Sequence, residues 1–114
     1  AVADYRNGSI LYINVMNHLS VDCDCDSPPA PPEMNDIGIF ASLDPVALDQ
    51  ACVDACLAAA PMPGSQLARN MAKKDFVDHH DHFRNSTPES EWKSCLEHAE
   101  KIGLGSREYT LIKM

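Results

Sequence analysis

A proline-dense segment constrains the fold of this chain more than any other feature. Four of the eight prolines, at positions 28, 29, 31 and 32, fall within the stretch Leu19–Asn35. Proline fixes φ and has no backbone N–H, so this density excludes both a helix and a central strand. The chain therefore contains a long loop, and loops of this length in compact domains are usually functional or mobile.

Segments with β-strand composition lie on both sides of this loop and near the C-terminus. Ile10–Met16 is an almost continuous apolar run after the turn signal Asn7-Gly8-Ser9, which predicts a strand buried on both faces. Ile37–Ser42 predicts a second short buried strand, and Tyr109–Ile112 predicts a closing strand.

Helix signals follow the second strand. Asp44 can cap a helix that Pro45 opens and that continues through residue 60. Ser65 can cap a short helix to residue 71, residues 73–86 are polar and indistinct, and Thr87 opens a helix over residues 87–101. Gly103 suits the left-handed cap that follows such a helix.

The expected fold is α/β, or α+β, in a single domain over residues 1–114. It has a small mixed sheet of three or more strands, two or three flanking helices and the long Cys-containing loop. Ala1–Tyr5 is typical of a helix tail that runs into a strand, so we expect the chain to be the C-terminal segment of a longer protein.

Composition excludes some classes of partner. Seventeen acidic against nine basic residues give a net charge of −8, which repels phosphate backbones and anionic membrane surfaces. No apolar run approaches the roughly 20 residues of a bilayer span, and no signal-peptide pattern is present. We therefore expect a cytoplasmic protein with neither nucleic acid nor a membrane as partner.

The acidic turn Asp22-Cys23-Asp24-Cys25 is the main candidate for chemistry, because all four of its side chains are potential metal ligands. Carboxylates raise the pKa of a neighbouring thiol, so thiolates form here only if a cation offsets the negative charge. Zinc or iron is such a cation, although Cys-x-Cys supplies only two of the usual four ligands. His18, at the end of the first strand, could add a ligand or be structural. Alternatively, one cysteine packs as a small hydrophobe and the aspartates bind backbone amides.

A second cluster contains His79, His80 and His82 together with Asp78 and Asp81. Imidazole would complement two thiolates in a tetrahedral site, provided that this stretch reaches the Cys23 loop. The alternative is a solvated polar surface, which is the more frequent role of such runs.

Asp44 and Asp49 are candidate catalytic residues, as acid, base or ligand. Asp44 follows a buried strand, at the end of the sheet where open α/β folds bind their ligands. A helix cap accounts for Asp44 equally well. Three further cysteines on the helices, Cys52, Cys56 and Cys95, are expected in the core, although Cys52 and Cys56 are one turn apart and could bind a metal.

Several of these segments together resemble the family called domain of unknown function 362. The segments are Tyr12–Val15, Asp22–Cys25, Asp36–Gln50 and Glu97–Tyr109, and the resemblance extends from about Ser9 to Ile112. Members are often described as iron–sulfur-centre proteins. The resemblance implies a ferredoxin-like [4Fe–4S] segment upstream of this chain, which would be its partner.

By position, the resemblance places Cys23, Cys25, Asp44 and Asp49 in the family's motifs. It leaves out the three helical cysteines and the histidine run. The expected function is thus a C-terminal domain of an iron–sulfur cluster-associated protein that binds metal and is linked to a redox reaction. The alternative is a non-catalytic scaffold or electron-transfer docking domain without its own metal.

Overall fold

The computed structural model describes residues 10–22 and 30–114. Its two strands are β1 (Tyr12–Met16) and β2 (Gly38–Ser42), and its helices are α1 (Pro45–Ala58), α2 (Gln66–Met71), α3 (His82–Ser86) and α4 (Lys93–Lys101). The fold is therefore mixed α and β, with a two-stranded antiparallel sheet. None of the described helices is long and apolar enough to cross a bilayer.

The chain divides into two compact units. One contains Ile39–Asp54, Trp92–Met114 and the chain up to Val15, and the other contains Met16–Gly38 and Ala55–Glu91. The expectations for Asn7-Gly8-Ser9, Cys23, Asp24 and Cys25 lie outside the described residues. A single domain over residues 1–114 and a place at the C-terminus of a longer protein stay predictions.

The expected sheet of three or more strands is wrong for the part of the chain described here. Tyr109–Ile112 has no regular secondary structure, and Ile112 is 79% exposed. Its β-branched and aromatic residues favour a strand only when a neighbouring strand and a packed face are available, and these are not formed around it.

Burial of β1 on both faces is also wrong. Ile13 and Val15 are 58% and 57% exposed, whereas Met16 is buried. Alternate side chains of a strand point to opposite faces, so one face of β1 is turned inward and the other is open. The second predicted strand forms as β2, but Ile39 on it is likewise exposed.

Two helix starts follow the sequence signals closely. The Asp44 carboxylate Oδ1 accepts hydrogen bonds from the backbone N–H groups of Val46 and Ala47, at 2.9 and 3.1 Å. The Ser65 hydroxyl accepts one from Ala68 N–H at 3.1 Å. In each case the cap satisfies donors that have no partner inside the helix.

The last helix is shorter than predicted, because α4 begins at Lys93 rather than near Thr87. Residues 87–92 are not helical, and Ser90 N–H donates to the Thr87 carbonyl in a turn. The predicted end is confirmed: Gly103 has φ +80°, and Leu104 N–H donates to the Ala99 carbonyl at 3.0 Å. Together with the bond from Gly103 N–H to Glu100, this is a Schellman cap.

The three helical cysteines differ in how deeply they are buried. Cys56 is buried, as expected for a small hydrophobic residue, and Cys52 is half-buried. Cys95 is exposed, which corrects the prediction that it belongs to the core. The reason is that only Leu96 on this part of α4 is buried, so the apolar stripe is narrower than the sequence suggests.

Side chains of α1 and its cap bind the C-terminal segment. The Asp44 Oδ2 atom accepts from Ser106 N–H at 2.9 Å, and Arg107 Nε donates to the Gln50 side chain at 2.9 Å. The Tyr109 hydroxyl donates to Asp54 at 2.7 Å. Exposed though it is, this segment is therefore held to α1 as far as Tyr109.

Glycine at position 105 permits the approach to Asp44. A Cβ atom on Gly105 would clash with Asp44 Oδ1, far inside van der Waals contact. We expect Gly105→Ala to lower the free energy of unfolding by about 1–3 kcal/mol, because the carboxylate would have to move away from the helix N–H groups. Urea denaturation of both proteins measures this difference.

The control is a double-mutant cycle with Asp44→Ala, which removes the atom that the new Cβ would meet. Gly105→Ala should cost less in that background. An equal cost in both backgrounds would contradict the steric explanation.

Candidate functional site

Glu33 is a buried carboxylate in the return limb of the proline-rich loop, and it is only 7% exposed. Its Oε1 atom accepts from Gln66 N–H at 3.1 Å, and its Oε2 atom accepts from Leu67 N–H at 3.2 Å and from the Ser86 hydroxyl at 2.6 Å. Glu33 thus caps α2 from outside that helix. The free N–H groups of a helix start offset the cost of burying the negative charge.

The backbone of Glu33 fixes the loop in the same place. Its N–H donates to the Leu19 carbonyl, and its carbonyl accepts from Met62 N–H. An antiparallel bridge between Ser20 and Pro32 brings the two limbs of the loop side by side. The described residues on the two sides of positions 23–29 therefore lie next to each other at Ser20 and Pro32.

A cleft of about 290 Å³ lies beside Glu33, within the unit that contains this loop. Its polar lining includes Asp22, Glu33, His82, Ser86, Thr87 and Ser90. Val21, Met34, Leu67 and Phe83 contribute apolar walls. The cleft therefore combines acidic, hydroxyl and imidazole groups with an apolar surface.

One member of the histidine cluster, His82, lines the cleft. The His82 Nε2 atom lies 2.8 Å from the Ala59 carbonyl oxygen. A carbonyl only accepts hydrogen bonds, so Nε2 carries the hydrogen, and in the neutral ring Nδ1 has the free lone pair. His79 and His80 are exposed, and His80 contacts Asp78 at 3.3 Å. The three histidines therefore do not act as one group.

His18, a predicted metal ligand, is exposed and has a positive φ of 53°. Its backbone N–H donates to Asp36 at 2.9 Å. Among the described residues, His18 is not one of those that line the cleft, whereas Asp22 is. Asp22 is thus the predicted metal ligand that the described structure brings to the cleft.

Asp44 and Asp49 have different surroundings. The Asp44 carboxylate accepts three backbone hydrogen bonds, two from α1 and one from Ser106, which is a structural role. Asp49 is exposed and accepts from the Asn14 side chain at 2.8 Å. Of the two candidate acid–base residues, Asp49 is the accessible one, and catalysis by either stays a prediction.

The sequence analysis assigns no role to Asn14. The one sequence signal for it is that it is a polar amide in the middle of an apolar strand. Its Nδ2 atom also contacts Cys52 Sγ at 3.4 Å. Burial raises the pKa of the Cys52 thiol, the Asn14 hydrogen bond opposes this effect, and the Asp49 charge adds to it. Cys52 is therefore a protonated thiol at neutral pH, without the character of a nucleophile.

Residues 10–22 and 30–114 by themselves contain no group of three His, Cys, Asp or Glu side chains that could hold a metal ion. The described residues alone therefore do not complete a metal site at the cleft. Chemically, the described part of the site supplies one imidazole and one carboxylate towards such a centre.

The role of Glu33 can be tested by Glu33→Gln. The amide cannot accept from Leu67 N–H and Ser86 as the carboxylate does, so buried donors lose a charged partner. We expect the free energy of unfolding to fall by about 2–3 kcal/mol in urea denaturation. Glu89→Gln, at an exposed position of the same unit, should change it by less than about 0.5 kcal/mol. Equal effects of the two substitutions would refute the proposed cap.

The raised pKa of Cys52 predicts slow alkylation. Cys52 is half-buried and its thiol pKa is raised, whereas Cys95 is exposed, so iodoacetamide should modify Cys95 first at pH 8. Peptide mapping by mass spectrometry follows each site separately. Asn14→Ala removes the interaction that favours the thiolate and should slow Cys52 further; faster modification of Cys52 than of Cys95 would count against this assignment.

Comparison with known proteins gives one match. The model of the family described as domain of unknown function (DUF362) matches residues 1–54, which contain β1, the cysteine turn, β2 and the first part of α1. The resemblance noted at Glu97–Tyr109 lies beyond the matched residues. No curated protein and no solved structure matches the chain significantly. This match over residues 1–54 supports the assignment of the chain to the DUF362 family.

Proposed function

We propose that this chain is a metal-binding, redox-linked domain of an iron–sulfur cluster-associated protein, and that Cys23, Cys25 and His82 bind the metal. One observation carries the proposal: Asp22, the first residue of the cysteine turn, and His82 line the same cleft. The sequence offered the thiols and the histidines as separate clusters. The shared cleft gives a reason to join them.

Covalent geometry limits the distance between Asp22, which lines the cleft, and the two cysteines that follow it in the chain. Consecutive Cα atoms are about 3.8 Å apart, so Cys23 follows Asp22 at that distance and Cys25 lies within about 11 Å of it. Two thiolates, one imidazole and one carboxylate from Asp22 or Asp24 make a four-ligand set. Zinc and iron both accept such a set.

The hydrogen bond of His82 supports its role as a ligand. Histidines that bind metals usually donate their second ring N–H to a carbonyl or carboxylate, which fixes the ring and its tautomer. The Ala59 carbonyl does this for Nε2 at 2.8 Å, so Nδ1 would be the ligand atom. The buried hydrogen bonds of Glu33 to α2 and to Ser86 of α3 hold the surrounding cleft.

The redox link and the iron–sulfur association have a different basis. Thiolate-bound iron is redox-active, and the family resemblance implies a [4Fe–4S] cluster in a ferredoxin-like segment upstream. That segment would then be the partner of this domain. The resemblance alone supports this part of the proposal.

A scaffold or docking domain without its own metal is the second candidate, and a specific observation favours it. Apolar side chains on the two strands and directly beside them are more than half exposed: Leu11, Ile13, Val15, Ile39 and Leu43. Contiguous exposed apolar surface commonly marks an interaction site. Under this alternative, the cysteine turn is structural and the chain contains no stoichiometric metal.

Metal analysis of tag-free protein separates the two candidates, because a histidine tag would add its own metal. We expect about one zinc or iron per chain by mass spectrometry, since the proposed set fills one tetrahedral site. Cys23→Ser with Cys25→Ser should abolish binding, and His82→Gln should weaken it, because each removes a ligand.

His80→Gln is the matched control, because His80 belongs to the same run but is exposed. It should retain the metal. Tag-free wild-type protein without stoichiometric metal, or equal loss of metal from the two histidine variants, would contradict the proposed site and leave the docking domain as the better account.

A further inference from the structure

We infer that the exposed apolar face of the two-stranded sheet pairs with the same face of a second copy of this chain. The composition of β1 is the first reason. Ile10–Met16 is an almost continuous apolar run, which is typical of a strand buried on both faces. In the described structure one face of β1 is half-buried or buried, and the other is exposed. A second apolar surface on the exposed face would complete the burial that the sequence indicates.

The exposed residues of the two strands lie on one side of the sheet. Ile13 and Val15 of β1 are exposed, and so are Ile39 and Ala41 of β2, in both strands at alternate positions that point to the same face. The strands have five residues each and run antiparallel, so Val15 lies opposite Ile39. The same pairing places Ile13 opposite Ala41. The four side chains therefore form a continuous apolar surface.

The size of this face is at the limit of what a specific interface needs. Leu11 and Leu43 continue the alternation just beyond the strands, and both are more than half exposed. With them, each copy offers on the order of 500 Å² of apolar surface, and pairing would bury on the order of 1,000 Å² in total. Interfaces of this size are weak and reversible, so we expect a monomer–dimer equilibrium.

A second copy is the occupant that these properties favour. Sheets pack face to face, about 10 Å apart, through apolar side chains that both inner faces contribute. A two-fold axis brings one surface patch against the same patch of the partner, as in most homodimers. None of the six outward residues carries a charge, so two chains of net charge −8 can meet here without opposing carboxylates.

The dimer is independent of the proposed metal site. The six outward residues all lie in the unit that contains Ile39–Asp54, whereas the cleft is lined by residues of the other unit. The inference also goes beyond the docking alternative, which names no occupant for this surface.

Sedimentation velocity of the tag-free full chain, from low micromolar to millimolar concentration, tests the equilibrium. We expect a dimer with a dissociation constant on the order of 10–100 µM. Added NaCl should lower this constant, because salt screens the repulsion between two negatively charged chains. A chain that stays monomeric throughout this range, or a dimer that salt dissociates, would overturn the inference.

Ile13→Lys tests the face itself. It should raise the dissociation constant at least about tenfold, because an unpaired charge would be buried, although the added positive charge by itself reduces the repulsion. Ile112→Lys is the matched control: the charge change is the same, and Ile112 is 79% exposed outside the sheet. This control should dimerise like the wild type. Equal effects of the two substitutions, with both variants folded by circular dichroism, would exclude the sheet as the interface.

Isotope-filtered NOE spectra of mixed labelled and unlabelled chains identify the covered surface. Contacts between copies should involve the methyl groups of Ile13, Val15 and Ile39. The dimer should also persist after metal removal with EDTA, which separates it from the proposed function. Dissociation by EDTA, or contacts between copies that leave out these three residues, would contradict the proposed pairing.

Discussion

The buried carboxylate of Glu33 is the interaction on which the cysteine loop and the cleft depend. A proline-rich segment cannot hold itself in place through helix or sheet hydrogen bonds, because it lacks the donors. Glu33 provides the missing attachment: its side chain binds the start of α2 and the Ser86 hydroxyl, and its backbone binds Leu19 and Met62. One residue thereby joins both limbs of the loop to the helices around the cleft.

Local signals in the sequence predicted the parts of the fold that are determined locally. Asp44 and Ser65 cap their helices because a short polar side chain before a helix satisfies nearby N–H groups, whatever the rest of the chain does. Gly103 ends α4 for an equally local reason, its positive φ. The strand expected at Tyr109–Ile112 depended on a distant partner. Side chains there bind α1 instead, through the hydroxyl of Tyr109.

The candidate site likewise divides into residues that local sequence signals predict and residues whose roles depend on distant contacts. Residue type and spacing pointed to the cysteine turn, but they could not rank His79, His80 and His82, which have similar neighbours in the sequence. The Ala59 carbonyl, 23 residues away in the chain from His82, makes the distinction. Glu33 and Asn14 were also beyond local reasoning, because their roles consist of contacts with Leu67 and Asp49 that are 34 and 35 residues away.

X-ray absorption at the zinc or iron edge of tag-free protein tests the central claim most directly, because it reports the ligands themselves. The proposed site predicts two sulfur ligands at about 2.3 Å and two nitrogen or oxygen ligands at about 2.0–2.2 Å. The His82→Gln variant should lose the multiple-scattering signal of imidazole and keep the sulfur shell. A metal surrounded only by nitrogen and oxygen, or an imidazole signal that survives in this variant, would contradict the assignment of Cys23, Cys25 and His82.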